Sequence, residues 1–260
     1  MSTRILDTGS MADLVKQLRE RPGPAPDIEA GIQDAFSTQS RHSHWSAAKY
    51  LKSLPEHVST KTGFSAGFLR AWSETFHNLA GWEGSTLELT LPRQDHLLIV
   101  GWHFPELPLL FRFAREANIL LLVSQDAAWL ESLRNAGCTV NVRTEAGRQK
   151  LIEQMAQGRL IGATLDHIFP ETSAVYAPLF GRPARTPAGI FELCLANRYM
   201  IAFVAPRESG IQVVHSLDSK GQDVPGLAAI LNEWLEAEVK RAPERWLMWP
   251  SVIARFQRTT

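Results

Sequence analysis

HLLIVGWHFPELPLLFRFAREANILLLV, residues 96–123, is the stretch whose reading decides the fold. HLLIVGW is a continuous apolar run, as in a strand covered on both faces. Two prolines and a glutamate follow at once, and LPLLFRFAREA then reads as a helix. NILLLVS reads as a second strand. A strand, a helix and a strand in that order make a βαβ unit, which belongs to a mostly parallel sheet.

The pattern continues in both directions. Downstream, AAWLESLRNAG is a helix closed by Gly137, CTVNVRT a strand, EAGRQKLIEQMAQG a helix closed by Gly158, and RLIGATLD a strand. AVYAPLFGRPARTPAGIFELCLANRY reads as a strand and loop, with a helix opening near Pro187. YMIAFVAP and IQVVHSL are two further strands, and the helix beginning VPGLAAILNEWLEAEV ends at Pro243. Upstream, STLELTL alternates at period two, as a half-buried strand does. Before Gly81 the chain reads as helical: a capped segment over 10–20, another opening at Asp27, and a third over 45–54. In FSAGFLRAWSETFHNLA, Phe64, Phe68, Trp72 and Phe76 share one helix face. The expectation is one α/β domain over residues 1–260, with a helical portion over 1–80 and an α/β core over 81–260.

Composition narrows the function classes. The chain has 260 residues, 45% of them apolar, and a formal net charge of zero. A general nucleic-acid binder would carry a basic surplus. The last stretch alone is locally basic, with Lys240, Arg241, Arg245, Arg255 and Arg258. Cys138 and Cys194 have no C-x-x-C spacing and read as small buried residues rather than a disulfide or metal set. His42 and His44 have metal-like spacing, but no Cys or carboxylate cluster joins them, so no metal is expected. No phosphate-loop, dinucleotide or serine-elbow motif occurs, and no cofactor is expected. MSTRILDTGSMADLVKQLRERPG carries charges throughout and no apolar signal region. No apolar run approaches the roughly 20 residues that span a bilayer. The expected location is cytoplasmic, either soluble or peripheral to the inner membrane.

Three blocks carry a resemblance to a known family. They are the strand-to-histidine turn IVGWHF, the stretch TLDHIFPETSAVYAPLFGRPARTPAG and the ending APERWLMWPSVIARFQ. In order and spacing, from about residue 28 to 257, they resemble the bacterial lipid A biosynthesis acyltransferases, the late lauroyl and myristoyl transferases and their relatives. The resemblance implies a glycerol-phosphate-acyltransferase-like α/β fold. It also implies transfer of an acyl group from acyl carrier protein or coenzyme A to a hydroxyl. The family's motif is a histidine with a carboxylate five residues on. An alcohol is a poor nucleophile at its free pKa. An imidazole can take its proton during attack on the thioester, and a carboxylate orients the ring and stabilises the imidazolium.

At that point the chain departs from the family. Pro108 stands five residues after His103, and the carboxylate near it in sequence is Glu106. Three arrangements stay open: a rearranged His103–Glu106 dyad, His103 acting with a carboxylate from elsewhere, chiefly Asp166, and a degenerate site in which His103 is structural or binds a ligand. Asp166 and His167 end an apolar strand, as His103 does, so the three are expected at one sheet edge. GRPARTPAG, 181–189, reads as a Gly/Pro-rich loop into a helix, with Thr186 as its cap. Arg182 and Arg185 there are candidates to hold a phosphate or carboxylate. The leading reading is an acyltransferase with a carrier-protein or CoA thioester as donor. Its acceptor is a small molecule, a lipid or a carrier-bound group offering a hydroxyl or amine. Lipid A itself is less favoured, because the lipid A enzymes usually carry an N-terminal membrane helix. The alternative is a binding or partner protein that holds an acyl chain or carrier in the same groove.

Overall fold

The computed structural model describes residues 94–124, 130–169 and 171–248, shorter pieces between 70 and 92, and 255–256. The helices expected over 10–20, from Asp27 and over 45–54 lie outside the described residues, as do Phe64, Phe68, Trp72, Phe76, His42, His44 and Arg258. The described residues between 70 and 79 are helical.

Strand–helix alternation builds a six-stranded sheet. Its strands are β1 (Leu97–Gly101), β2 (Leu120–Val123), β3 (Thr139–Asn141), β4 (Ile161–Thr164), β7 (Met200–Arg207) and β8 (Gly210–Asp218). They lie in the order β3-β2-β4-β1-β7-β8. All neighbours are parallel except β7 and β8, which form an antiparallel hairpin at one edge. β1 is central, and all five of its residues are buried. An apolar run with no polar alternation is what a strand covered on both faces requires.

The helices are α1 (Leu110–Glu116), α2 (Glu131–Asn135), α3 (Glu145–Ala156), α4 (Gly189–Asn197) and α5 (Val224–Arg241). Thr144 caps α3 by accepting from the Gly147 N–H at 3.0 Å, and Asp223 caps α5 through the Gly226 N–H at 2.7 Å. Gly137 and Gly158 follow α2 and α3 with φ of +69° and +78°, the left-handed conformation that closes a helix. A 3-10 turn, Leu107–Leu109, precedes α1 and places Pro108 at its start. α4 and α5 pack on one another, and α5 also covers the small sheet described next.

The structure corrects three expectations. The described residues between 85 and 91 form no strand, although Leu89 is buried and Leu87 and Leu91 pack against the core while Thr86 and Thr90 are exposed. The period-two pattern is one of burial without a ladder partner. Second, 181–189 is no loop. Arg182–Pro187 is strand β6, paired antiparallel with β5 (Ala174–Leu179) around the turn residues Phe180 and Gly181. Third, Thr186 caps no helix. It lies in β6, fully buried, while the residue before α4 is Ala188, which makes no side-chain cap bond.

Candidate active site

β1 and β4 are parallel neighbours with Gly101 opposite Thr164. Carried two residues further, that register sets His103 opposite Asp166. Both strands end there, so both side chains leave the carboxyl edge of the sheet, where α/β folds bind ligands. His103 Nδ1 and Asp166 Oδ1 are 2.7 Å apart. The His103 backbone N–H donates to Asp166 Oδ2 at 2.9 Å, and the Trp246 indole N–H donates to the same oxygen at 2.8 Å.

An ionised carboxylate only accepts, so His103 Nδ1 carries the hydrogen and Nε2 keeps its lone pair. Nε2 lies 3.5 Å from Thr164 Oγ1. The His103 side chain is 34% exposed and the Asp166 side chain 1%, so the base can be reached while its carboxylate cannot. Burial pushes the Asp166 carboxyl up, but the His103 ring, its two hydrogen bonds and the Trp246 N–H outweigh this and hold it at about 2. Crowding alone would lower the His103 pKa. The charge and hydrogen bond of Asp166 raise it instead. An anchored imidazole with an ionised carboxylate behind it can accept a proton at Nε2 and return it.

Glu106 is engaged elsewhere. It forms an ion pair with Arg245, which also lies 3.4 Å from Glu74. The structure therefore brings His103 to Asp166 and not to Glu106. Pro108 is buried in the 3-10 turn.

The other candidates surround this pair unequally. His167 adjoins Asp166 in sequence and its pKa falls to about 4, through burial first and then the positive charges of His103 and Arg255. It is a neutral imidazole at neutral pH, and its buried Nδ1 has no hydrogen-bond partner. Arg182 is exposed, with its guanidinium 4.8 Å above the Phe256 ring. Arg185 is 8% exposed and donates to the Thr172 carbonyl at 3.3 Å. The Thr186 hydroxyl accepts from Asn232 at 2.9 Å and Arg255 at 3.2 Å. It is out of a substrate's reach and braces the interior.

The sequence reading gives Trp246 no role and counts Arg255 only in the locally basic ending, whereas the structure buries both. Trp246 holds Asp166. Arg255, 1% exposed, donates to the Arg185 carbonyl, Thr186 and Asn232, with burial lowering its pKa to about 10. The available signal is the ending APERWLMWPSVIARFQ, which holds both residues and is one of the three blocks that carry the resemblance.

Among the described residues, no helix is long and apolar enough to cross a membrane, and no group of His, Cys, Asp and Glu is placed to hold a metal. Comparison with curated proteins returned no match. The family model for bacterial lipid A biosynthesis acyltransferase matches residues 126–251, just under half of the chain. That span holds Asp166, β5, β6 and Trp246, whereas His103 precedes it. The match supports the family that the sequence motifs resemble: through residues 126–251, this chain is similar to the bacterial lipid A biosynthesis acyltransferases.

Proposed function

We propose that the protein transfers an acyl group from a carrier-protein or CoA thioester to a hydroxyl or amine, with His103 as general base and Asp166 as its orienting carboxylate. The observation that carries this reading is the 2.7 Å contact between His103 Nδ1 and Asp166 Oδ1, made by a His103 side chain that is itself partly exposed at the sheet edge. The acceptor's oxygen or nitrogen attacks the thioester carbonyl carbon while its proton passes to Nε2. The tetrahedral intermediate collapses, the C–S bond breaks, and the leaving thiolate takes the proton from Nε2. Ester or amide and free thiol result, and His103 ends as it began.

His167 and the two arginines of β6 complete the assignment. His167, neutral at working pH, offers a hydrogen bond beside the base. Arg182 and Arg185 supply positive charge for the phosphate or carboxylate that a carrier arm, a CoA or an acidic acceptor brings. The proposal has the protein working in the cytoplasm, and at the inner membrane surface where the acceptor is a lipid.

The test is incubation with acyl-carrier and acyl-CoA thioesters of varied chain length and a panel of hydroxyl and amine acceptors. Thiol release and intact masses are followed together. The wild-type chain should release thiol in step with acylated acceptor. His103→Ala should lower turnover by roughly 10²–10⁴, the range of a positioned base. Tight carrier binding without turnover, unchanged in His103→Ala and Asp166→Asn, would overturn the enzyme in favour of a binding protein.

A further inference from the structure

Three consecutive residues after α5 each hold a different part of this site. Arg245 is ion-paired with Glu106, the Trp246 indole N–H donates to Asp166 Oδ2, and the Leu247 backbone N–H donates to the His103 carbonyl at 3.0 Å. A further bond, from Asn78 Nδ2 to the Pro105 carbonyl at 2.7 Å, holds the His103 loop from the other side. The segment begins on the last residue of a 3-10 turn, Pro243–Arg245, which follows α5.

Asp166 needs such a holder. The torsion that turns a carboxylate is soft, with broad rather than staggered preferences. One oxygen bound to a mobile imidazole would not fix its plane. Oδ2 instead accepts two N–H groups on rigid supports, the His103 backbone and the indole of Trp246. Trp246 has no exposed surface, and its ring lies 6.2 Å from Phe180 at the β5–β6 turn. With Oδ2 fixed from two directions, Oδ1 must face the ring nitrogen.

We propose that Trp246 is a positioning residue for His103: its indole N–H locks the Asp166 carboxylate so that Oδ1 meets Nδ1, and residues 245–247 form a strap that sets the His103 loop. This rests on His103 being the base, yet its first test needs no turnover. Among the described residues, the other charged or titratable groups of this region are His167, Arg255 and the Glu106–Arg245 pair, and none of them hydrogen-bonds to Asp166. Losing the indole N–H also leaves the carboxylate more basic, which by itself would raise the His103 pKa, so a fall is assigned to the carboxylate's freedom.

The experiment replaces Trp246 in the full chain in two ways. Trp246→Phe removes the N–H and part of the ring. Trp246→benzothienylalanine keeps the bicyclic shape and puts sulfur where the N–H was. The His103 ring is titrated by side-chain NMR. A carboxylate free to turn spends less time on Nδ1, so the His103 pKa should fall back toward its ordinary value in both variants. The benzothienyl variant should unfold within a few degrees of wild type. An unmoved or higher His103 pKa in the isosteric variant overturns the proposal, and that variant decides should Trp246→Phe fail to fold.

Where a thioester is turned over, kcat should fall about tenfold or more with KM within twofold. Asp166→Asn combined with Trp246→Phe should be no slower than Asp166→Asn alone, because the two residues act as one unit. Independent, multiplying losses overturn the proposal. Wild-type protein inert toward every donor would sink the acyltransferase reading, and the titration would still decide the role of Trp246.

Discussion

At His103 the ring nitrogen that is anchored decides which nitrogen works. Nδ1 is tied to Asp166, so Nε2 is the base, and it is a base only when unprotonated. Asp166 raises the His103 pKa above the ordinary 6.5. Turnover should therefore rise with pH through a midpoint above 6.5. Asp166→Asn removes the group that favours imidazolium, so burial is left to act alone. That variant's midpoint should move below the wild-type value as its turnover drops by about 10² or more. A pH–rate profile of both proteins checks this, and an unmoved midpoint in Asp166→Asn counts against the pair. Stability follows the same contact. The raised His103 stabilises fully below 6.5 and loses that contribution as pH climbs through its folded value. The lowered Asp166 contributes above 3.8 and is lost as pH falls toward about 2. One ion pair underlies both, so its stabilisation is complete between roughly pH 4 and 6.5. Glu106→Gln tests the nearer carboxylate. Its partner is Arg245, so the variant should cost about 1 kcal/mol of stability and leave the pH midpoint in place. Spacing along the chain favours Glu106. What favours Asp166 is strand register, which no local spacing reveals.

At the scale of elements, whatever depends on local periodicity was legible. The β1–α1–β2 unit, the glycines closing α2 and α3, and the stop at Pro243 follow from apolar period and backbone freedom. The failures share a cause: each needed a partner strand. The described residues between 85 and 91 alternate correctly but have none among the described residues. β6 has β5 as its partner, yet Pro183 and Pro187 make it read as loop, since proline removes a ladder donor. In a two-stranded sheet every strand is an edge, and the prolines are tolerated. Phe180 and Gly181 take φ of +50° and +70°, the positive values that a two-residue hairpin turn requires. A separate element contact yields a stability prediction. In the first turn of α3, a Cβ on Gly147 would lie 1.8 Å from the Asn141 carbonyl oxygen at the end of β3. That neighbour is backbone and cannot step aside, so Gly147→Ala should destabilise by about 1–3 kcal/mol. For a chain of this size the loss is about 2–4 °C in Tm per kcal/mol. Gly189→Ala, in the first turn of α4 with nothing within 4 Å of its Cβ, is the control and should unfold at the wild-type temperature. Equal Tm values for the two variants would refute the tight α3–β3 contact.

Across the whole molecule, the site is assembled from three places that sequence keeps apart: His103 after β1, Asp166 after β4 and Trp246 after α5. Alternation predicts parallel strands but not their order. Only the order β2-β4-β1 makes β4 the neighbour of β1 and so brings His103 to Asp166. The last segment then closes the site, and its removal has a predictable scale. A buried tryptophan withdraws about 150–250 Å² from water. At about 25 cal/mol per Å² that is worth roughly 4–6 kcal/mol. Leu247 and Arg255 are buried as well, at 5% and 1% exposure. Arg255 also braces Thr186 and Asn232 between β6 and α5. A domain's whole stability is about 5–15 kcal/mol. A chain ended at Ala242 therefore loses a contribution comparable to all of it, and Asp166 loses the indole that holds it. It should bind a hydrophobic dye, show no cooperative thermal transition and turn over no thioester. A truncated chain that unfolds cooperatively at the wild-type temperature would show instead that the part after α5 is an appendage, and would sink the idea that Trp246, Leu247 and Arg255 belong to the core.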